Sequence, residues 1–206
     1  MQIPVLVEAE RKKHGLDDLL DLADYIVCSA RFPLAWTMAS SVPDALVSIL
    51  LRFPHAKFVI VTLGENGCLM LERAENGESK TGRRLLTVVE HPDAEETDVV
   101  TLLESLKQRI NDSDVIPKCI STKSTMRLTA AGIGKVCGRM LVGTAEKITP
   151  SELVDTTGAG DAFIGAVLYG KLSPRVHSLA AAGCRALGAR TGLPQRSDPC
   201  LAPFLC

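Results

Sequence analysis

Val154-Asp155-Thr156-Thr157-Gly158-Ala159-Gly160-Asp161-Ala162-Phe163-Ile164-Gly165-Ala166-Val167-Leu168 is the most informative stretch of the chain. A strand end at Val154 runs through small residues straight into an amphipathic helix. That path gathers unpaired backbone N–H groups and the positive helix end at one point in space. Such a point is an anion site. Gly158 and Gly160 have no Cβ and let a phosphate approach, and Asp161 fixes a carboxylate at the helix start. A carboxylate beside bound phosphate is repulsive unless it faces something else, such as a hydroxyl whose proton it accepts.

Upstream, strands and helices alternate. Strands are expected at Ile3 to Val7 and Tyr25 to Cys28, with a short helix between them in which Leu16, Leu19, Leu20 and Ala23 recur at helical spacing. Pro43 to Leu51 reads as a helix with proline in its first turn and Leu46, Ile49 and Leu50 on one side. The apolar run within Lys57 to Leu63 is typical of a parallel strand buried on both faces. Cys68 to Arg73 resumes as a strand after the Glu65-Asn66-Gly67 turn, and Ala74 to Arg84 reads as a polar hairpin tip. From Thr97 as N-cap, Val99, Leu102, Leu103, Leu106 and Ile110 share a helical stripe. Asn111 to Lys135 is polar and weakly patterned, which suggests an insertion or a long loop. The rhythm is α/β.

With 206 residues, the chain can bury one sizeable core, and we expect a single domain. A net charge of -1 supplies no basic stripe for nucleic acid. The seven cysteines are scattered, with no C-x-x-C pair, and are expected to be reduced thiols. No apolar run approaches the ~18 residues of a membrane span, and the start lacks the order of a secretory signal. The expected location is cytoplasmic, with no membrane partner; organelle import is not readable from the sequence.

The segment Asp155-Thr156-Thr157-Gly158-Ala159-Gly160-Asp161-Ala162-Phe163-Ile164-Gly165-Ala166 closely resembles the C-terminal motif of the pfkB or ribokinase family of carbohydrate kinases. The resemblance implies a ribokinase-like, Rossmann-like fold: a mostly parallel sheet flanked by helices. It implies ATP-dependent transfer of a phosphoryl group to an alcohol group of a sugar or sugar-like metabolite. Asp161 would be the catalytic base, and Gly158, Ala159 and Gly160 the anion hole for the transferred phosphoryl. Positioning and electrostatics dominate phosphoryl transfer, so such an aspartate needs no raised pKa. The plainer alternative is a strand-to-helix turn with glycine for packing and Asp161 as a helix-terminal charge; it is outweighed by the length of the match.

Val59 to Cys68 is similar to the strand and T-L-G-x-x-G turn beneath the nucleotide in that family, which would give Thr62, Gly64 and Gly67 nucleotide-binding roles. Taken alone, this stretch is equally an ordinary β-hairpin. Ser178 to Gly192, rich in small residues, resembles the helix lining the adenine pocket, with Ala182 and Gly183 as nucleotide contacts, although close helix packing explains the same residues. Asp155 and Thr157 match positions that help bind a monovalent cation, potassium, in relatives; Asp155 could equally cap the loop. ATP and Mg are the implied cosubstrate and metal. A homodimer is compatible with the sequence, which fixes no oligomeric state.

The sequence also departs from the family pattern. Many relatives carry N-x-x-E at the end of an earlier strand, whereas Tyr25 to Phe32 offers no such acid. Mg would then be held mainly by phosphates and water. That absence, with the V-D-T-x-G-A-G-D pattern, points to the plant-type or ketohexokinase-like branch. The family's N-terminal substrate loop, first strands and β lid have no counterpart, so residues 1–206 are expected to be one incomplete, N-terminally truncated kinase domain. The link from Leu172 to Leu179 is also short. A catalytically impaired nucleotide-binding or assembly module is therefore the second reading. A dinucleotide-dependent oxidoreductase ranks last, for want of G-x-G-x-x-G after the first strand.

Overall fold

The fold was taken from a computed structural model, which describes residues 3–74, 95–110, 117–149 and 155–172. In chain order the elements are β1 (Leu6–Ala9), α1 (Leu16–Asp21), β2 (Tyr25–Ser29), α2 (Phe32–Thr37), α3 (Val42–Arg52), β3 (Phe58–Thr62) and β4 (Cys68–Arg73). They continue with β5 (Glu96–Asp98), α4 (Val99–Lys107), β6 (Cys119–Ser121), β7 (Met126–Ala130), β8 (Gly134–Gly143) and α5 (Ala159–Leu172). The described strands form one eight-stranded sheet in the order β1-β2-β3-β4-β8-β7-β5, with β6 also paired to β8.

The run Phe58-Val59-Ile60-Val61 forms β3, and all four residues are buried. Successive side chains in a strand point to opposite faces. Val59 and Val61 accordingly join a large core with residues of α1 to α4, whereas Phe58 and Ile60 join Phe163 and Val167 of α5. Helices thus cover both faces, and α5 lies on the face opposite α1 to α4. This α/β arrangement agrees with the sequence expectation.

Helix α3 starts where local chemistry directs it. The Ser41 hydroxyl accepts from Asp44 N at 3.2 Å and donates to Asp44 Oδ2 at 2.6 Å, and a proline occupies the first turn. Its apolar side then buries Leu46, Ile49 and Leu50. Each such side chain contributes about 1.5–3 kcal/mol of transfer free energy. Helix α4 starts one residue later than expected. Asp98 is the N-cap, accepting from Val100 N at 3.1 Å and Thr101 N at 2.9 Å, while Thr97 pairs within β5. A carboxylate can serve both amides, which explains the shift.

Other expectations need correction. The sheet is mixed, not mostly parallel: β1/β2, β2/β3 and β5/β7 are parallel, whereas β3/β4, β4/β8, β6/β8 and β7/β8 are antiparallel. The Leu63–Gly67 link is far too short for a crossover, so β4 must return as a hairpin. Within Asn111 to Lys135 the described part is no loop. It contains β6, β7 and the start of β8, with Leu128 and Ala130 buried between the half-buried Arg127 and Thr129. Its polar composition hid a short period-two pattern. Strand β1 begins later than Ile3, since Pro4 cannot donate a ladder hydrogen bond and pairing with β2 begins at Leu6. In α1 only Leu16 and Leu20 are buried, and Leu19 is 55% exposed. The proposed hairpin tip beyond Ala74, the link from Leu172 to Leu179 and the helix Ser178 to Gly192, with Ala182 and Gly183, lie outside the described residues.

Among the described residues, no helix is long and apolar enough to cross a membrane.

Candidate functional site

Parallel pairing aligns β1, β2 and β3 so that their carboxyl ends, at Ala9, Ser29 and Thr62, lie along one rim of the sheet. In open α/β sheets that rim is where ligands bind. The start of α5 comes to the same rim: a Cβ built on Gly160 would lie 4.0 Å from Glu8 Oε1, near the end of β1. Burial of Phe163 and Val167 against β2, β3 and β4 holds the helix there.

The turn into α5 is closed by its own side chains. Asp155 Oδ1 accepts from Thr157 N and Thr157 Oγ1, both at 2.8 Å, and Ala159 N donates to Thr156 O at 3.1 Å. The backbone and hydroxyl donors of Thr157 hold the Asp155 carboxyl below the usual aspartate value. Gly158 has φ 78°, the left-handed region that glycine adopts without steric cost, and a Cβ there would meet nothing within 4 Å. The space beside it is therefore open. Amides in the first turn of a helix have no intrahelical acceptor, so those of Gly160 and Asp161 face out of the helix start. Asp161 is exposed in that first turn.

Thr62 lies at the end of β3 on the face that α5 covers, following Phe58 and Ile60. Its hydroxyl donates to Cys28 O at 3.4 Å. Gly64 opens a 3-10 turn with φ 59°. Gly67 has φ 84°, and a Cβ there would sit 1.9 Å from Gly143 O, so close packing of the β3–β4 turn against β8 accounts for its lack of a side chain.

Glu8 was not singled out from the sequence. It belongs to no motif, and its placement beside α5 depends on tertiary packing. The signal available was a carboxylate near the carboxyl end of a strand that pairs in parallel. Glu8 is exposed overall, but partial desolvation and the like charges of Glu10 and Asp161 raise its pKa above the ordinary 4.5. A carboxyl raised in the folded chain leaves stability highest below the unfolded value, and that contribution is lost as pH rises through the raised value. Glu8→Gln is therefore expected to raise Tm slightly near neutral pH, with the gain vanishing below the ordinary carboxylate range. Thermal melts at both pH values check this, and a lower Tm for the variant at neutral pH would contradict it.

Among the described residues, no group of three or more His, Cys, Asp and Glu side chains could hold a metal ion. Residues 142–191 match the sequence profile of the pfkB family carbohydrate kinase. No curated protein matches the chain significantly. Among solved structures, the chain is similar to a microbiome-derived acarbose kinase, with 16% identity and a TM-score of 0.47 over 95% of this chain and 44% of that one. It is also similar to a fructokinase from Vibrio cholerae O395, solved with fructose, ADP and calcium, with 19% identity and a TM-score of 0.44 over 93% and 45% of the two chains. The aminoimidazole riboside kinase of Salmonella enterica gives 19% identity and a TM-score of 0.45 over 89% and 43%. The chain spans less than half the length of each of these proteins. Residues 142–191, which carry the closed turn and α5, are the part of this chain that is similar to the pfkB family of carbohydrate kinases.

Proposed function

We propose that the chain is the nucleotide-binding and catalytic part of an ATP-dependent phosphotransferase acting on an alcohol group of a sugar or sugar-like molecule. The observation that carries this is the start of α5, where outward amides, open space at Gly158 and the exposed Asp161 meet at the strand-end rim. On this reading, the amides of Gly158 and Gly160 stabilise charge on the transferred phosphoryl group, and that of Ala159, which donates to Thr156 O at 3.1 Å, would join them only by releasing that bond. Asp161 accepts the acceptor's hydroxyl proton as a new oxygen–phosphorus bond forms. The bond from the γ-phosphorus to the bridging oxygen breaks, and ADP leaves.

Thr62 and Gly64, at the neighbouring strand end, would flank the nucleotide. Mg would arrive on the nucleotide phosphates, neutralising charge beside Glu8 and Asp161; the described residues provide no carboxylate cage of their own. Asp155 and Thr157 would hold a potassium ion only by sharing the oxygens that now close the turn. A homodimer and a cytoplasmic location are further parts of the proposal.

Transfer of labelled γ-phosphate to a panel of sugars and nucleosides tests the assignment. Labelled product that requires both acceptor and chain supports it. Tight MgATP binding with no transfer to any acceptor favours the second reading, a nucleotide-binding module.

A further inference from the structure

The β3–β4 turn places Asn66 directly before Gly67, one of two Asn-Gly pairs in the chain, the other being Asn76-Gly77. An asparagine before glycine is open to self-modification, because the following amide nitrogen has no side chain beside it to hinder attack on the asparagine carboxamide. Asn66 is exposed, so water and hydroxide reach it. The fold nevertheless holds it out of reaction. Asn66 ends the 3-10 turn Gly64–Asn66, its N donates to Leu63 O at 3.2 Å, and Gly67 N donates to Gly64 O at 3.0 Å. Ring closure needs the carboxamide carbon to swing onto Gly67 N, which requires a ψ far from the roughly −20 to −30° of a 3-10 turn. Gly67 O also accepts from Leu63 N at 2.8 Å. Gly67 is buried so close to β8 that even a Cβ would lie 1.9 Å from Gly143 O. The pair is reactive only when the turn opens, and the closed turn has no room for a longer backbone.

We propose that Asn66-Gly67 is a latent deamidation site, gated by opening of the β3–β4 turn, whose isoaspartyl product cannot restore that turn. In the open turn, hydroxide removes the Gly67 amide proton and the nitrogen attacks Cγ of Asn66. A carbon–nitrogen bond forms, the Cγ–Nδ2 bond breaks, and ammonia leaves with a proton taken from water. Water then opens the cyclic imide. Cleavage at the Cγ carbonyl gives aspartate; cleavage at the backbone carbonyl gives isoaspartate, whose main chain runs through Cβ and Cγ and is one carbon longer. Nothing is oxidised or reduced. The extra carbon falls where Gly67 meets Gly143, and Thr62 and Gly64 lie just upstream, so the lesion disturbs the strand-end rim together with the turn. The proposal does not depend on the kinase reading.

The test is incubation of the full chain at mildly alkaline pH, folded and in urea, followed by trypsin and mass spectrometry. Asn66 falls in the tryptic peptide 58–73 and Asn76 in 74–80, so the two are read separately. Conversion at Asn66 is expected to be at least about tenfold slower in the folded chain than in urea. Gly64→Ala, strained at φ 59° but free of any clash, should speed it several-fold in the folded chain. Isoaspartyl chains, separated by chromatography, are expected to melt well below the parent, whereas Asn66→Asp, which adds the charge without the extra carbon, should melt close to it. Asn66 that stays intact in urea while Asn76 converts overturns the site. Equal rates in the folded chain and in urea overturn the gating, and isoaspartyl chains that melt with the parent overturn its consequence.

Discussion

Asp161→Asn is expected to reduce phosphoryl transfer about 10²–10⁴-fold, the range typical of a positioned general base, while leaving MgATP binding within a small factor of the parent. Asparagine keeps the size of the side chain but cannot take up the acceptor proton. Asp161 is exposed and bears no core contact, so the substitution should not disturb folding. Its first-turn position is favourable for a negative charge, and losing that charge should cost no more than about 1 kcal/mol of stability. The two effects are therefore separable. Transfer rates, together with melting curves of parent and variant, check the prediction; an unchanged rate would remove Asp161 from the chemistry.

Gly67→Ala should be the costly change for stability. The residue sits at φ 84°, and its missing Cβ would lie 1.9 Å from Gly143 O and 2.9 Å from Thr144 Cα. The left-handed conformation costs a non-glycine residue about 1–2 kcal/mol, and forcing packed backbone apart adds roughly 1–3 kcal/mol. A combined loss of about 2–5 kcal/mol is expected, enough to unfold a marginal domain. The strain falls between the β3–β4 turn and β8, so Thr62 and Gly64 would be displaced with it. Gly64→Ala is the informative comparison, because a Cβ there meets nothing within 4 Å and only the backbone term applies. Chemical denaturation of the two variants checks the ordering; equal losses would mean that contact with Gly143 contributes nothing.

The parts of the fold visible in the sequence are those set by local rules. The unbroken apolar run of β3 and the Ser41-Pro43 start of α3 each declare themselves within a few residues. The turn into α5 does so through spaced glycines followed by an acid, and the same residues carry the family match. The misread parts depend on partners distant in sequence. β7 is a short strand of Met126-Arg127-Leu128-Thr129-Ala130 whose pairing with β5 and β8 determines its state, and propensity alone could not reveal it. Likewise, the start of β1 follows from its register with β2, not from where its apolar residues begin.

The same division runs through the site. The glycines and Asp161 were visible as a motif because their chemistry is contiguous. Glu8 became visible only when parallel pairing and the packing of Phe163 and Val167 brought β1 and α5 together. Gly67 was legible as a turn glycine, but its contact with Gly143 was not.

The most direct test of the central claim is calorimetric titration of the folded chain with MgATP. Saturable binding at micromolar to millimolar concentrations, retained in Asp161→Asn, is the predicted result. Absence of binding by a chain shown to be folded would contradict the assignment of the α5 start as a nucleotide phosphate site.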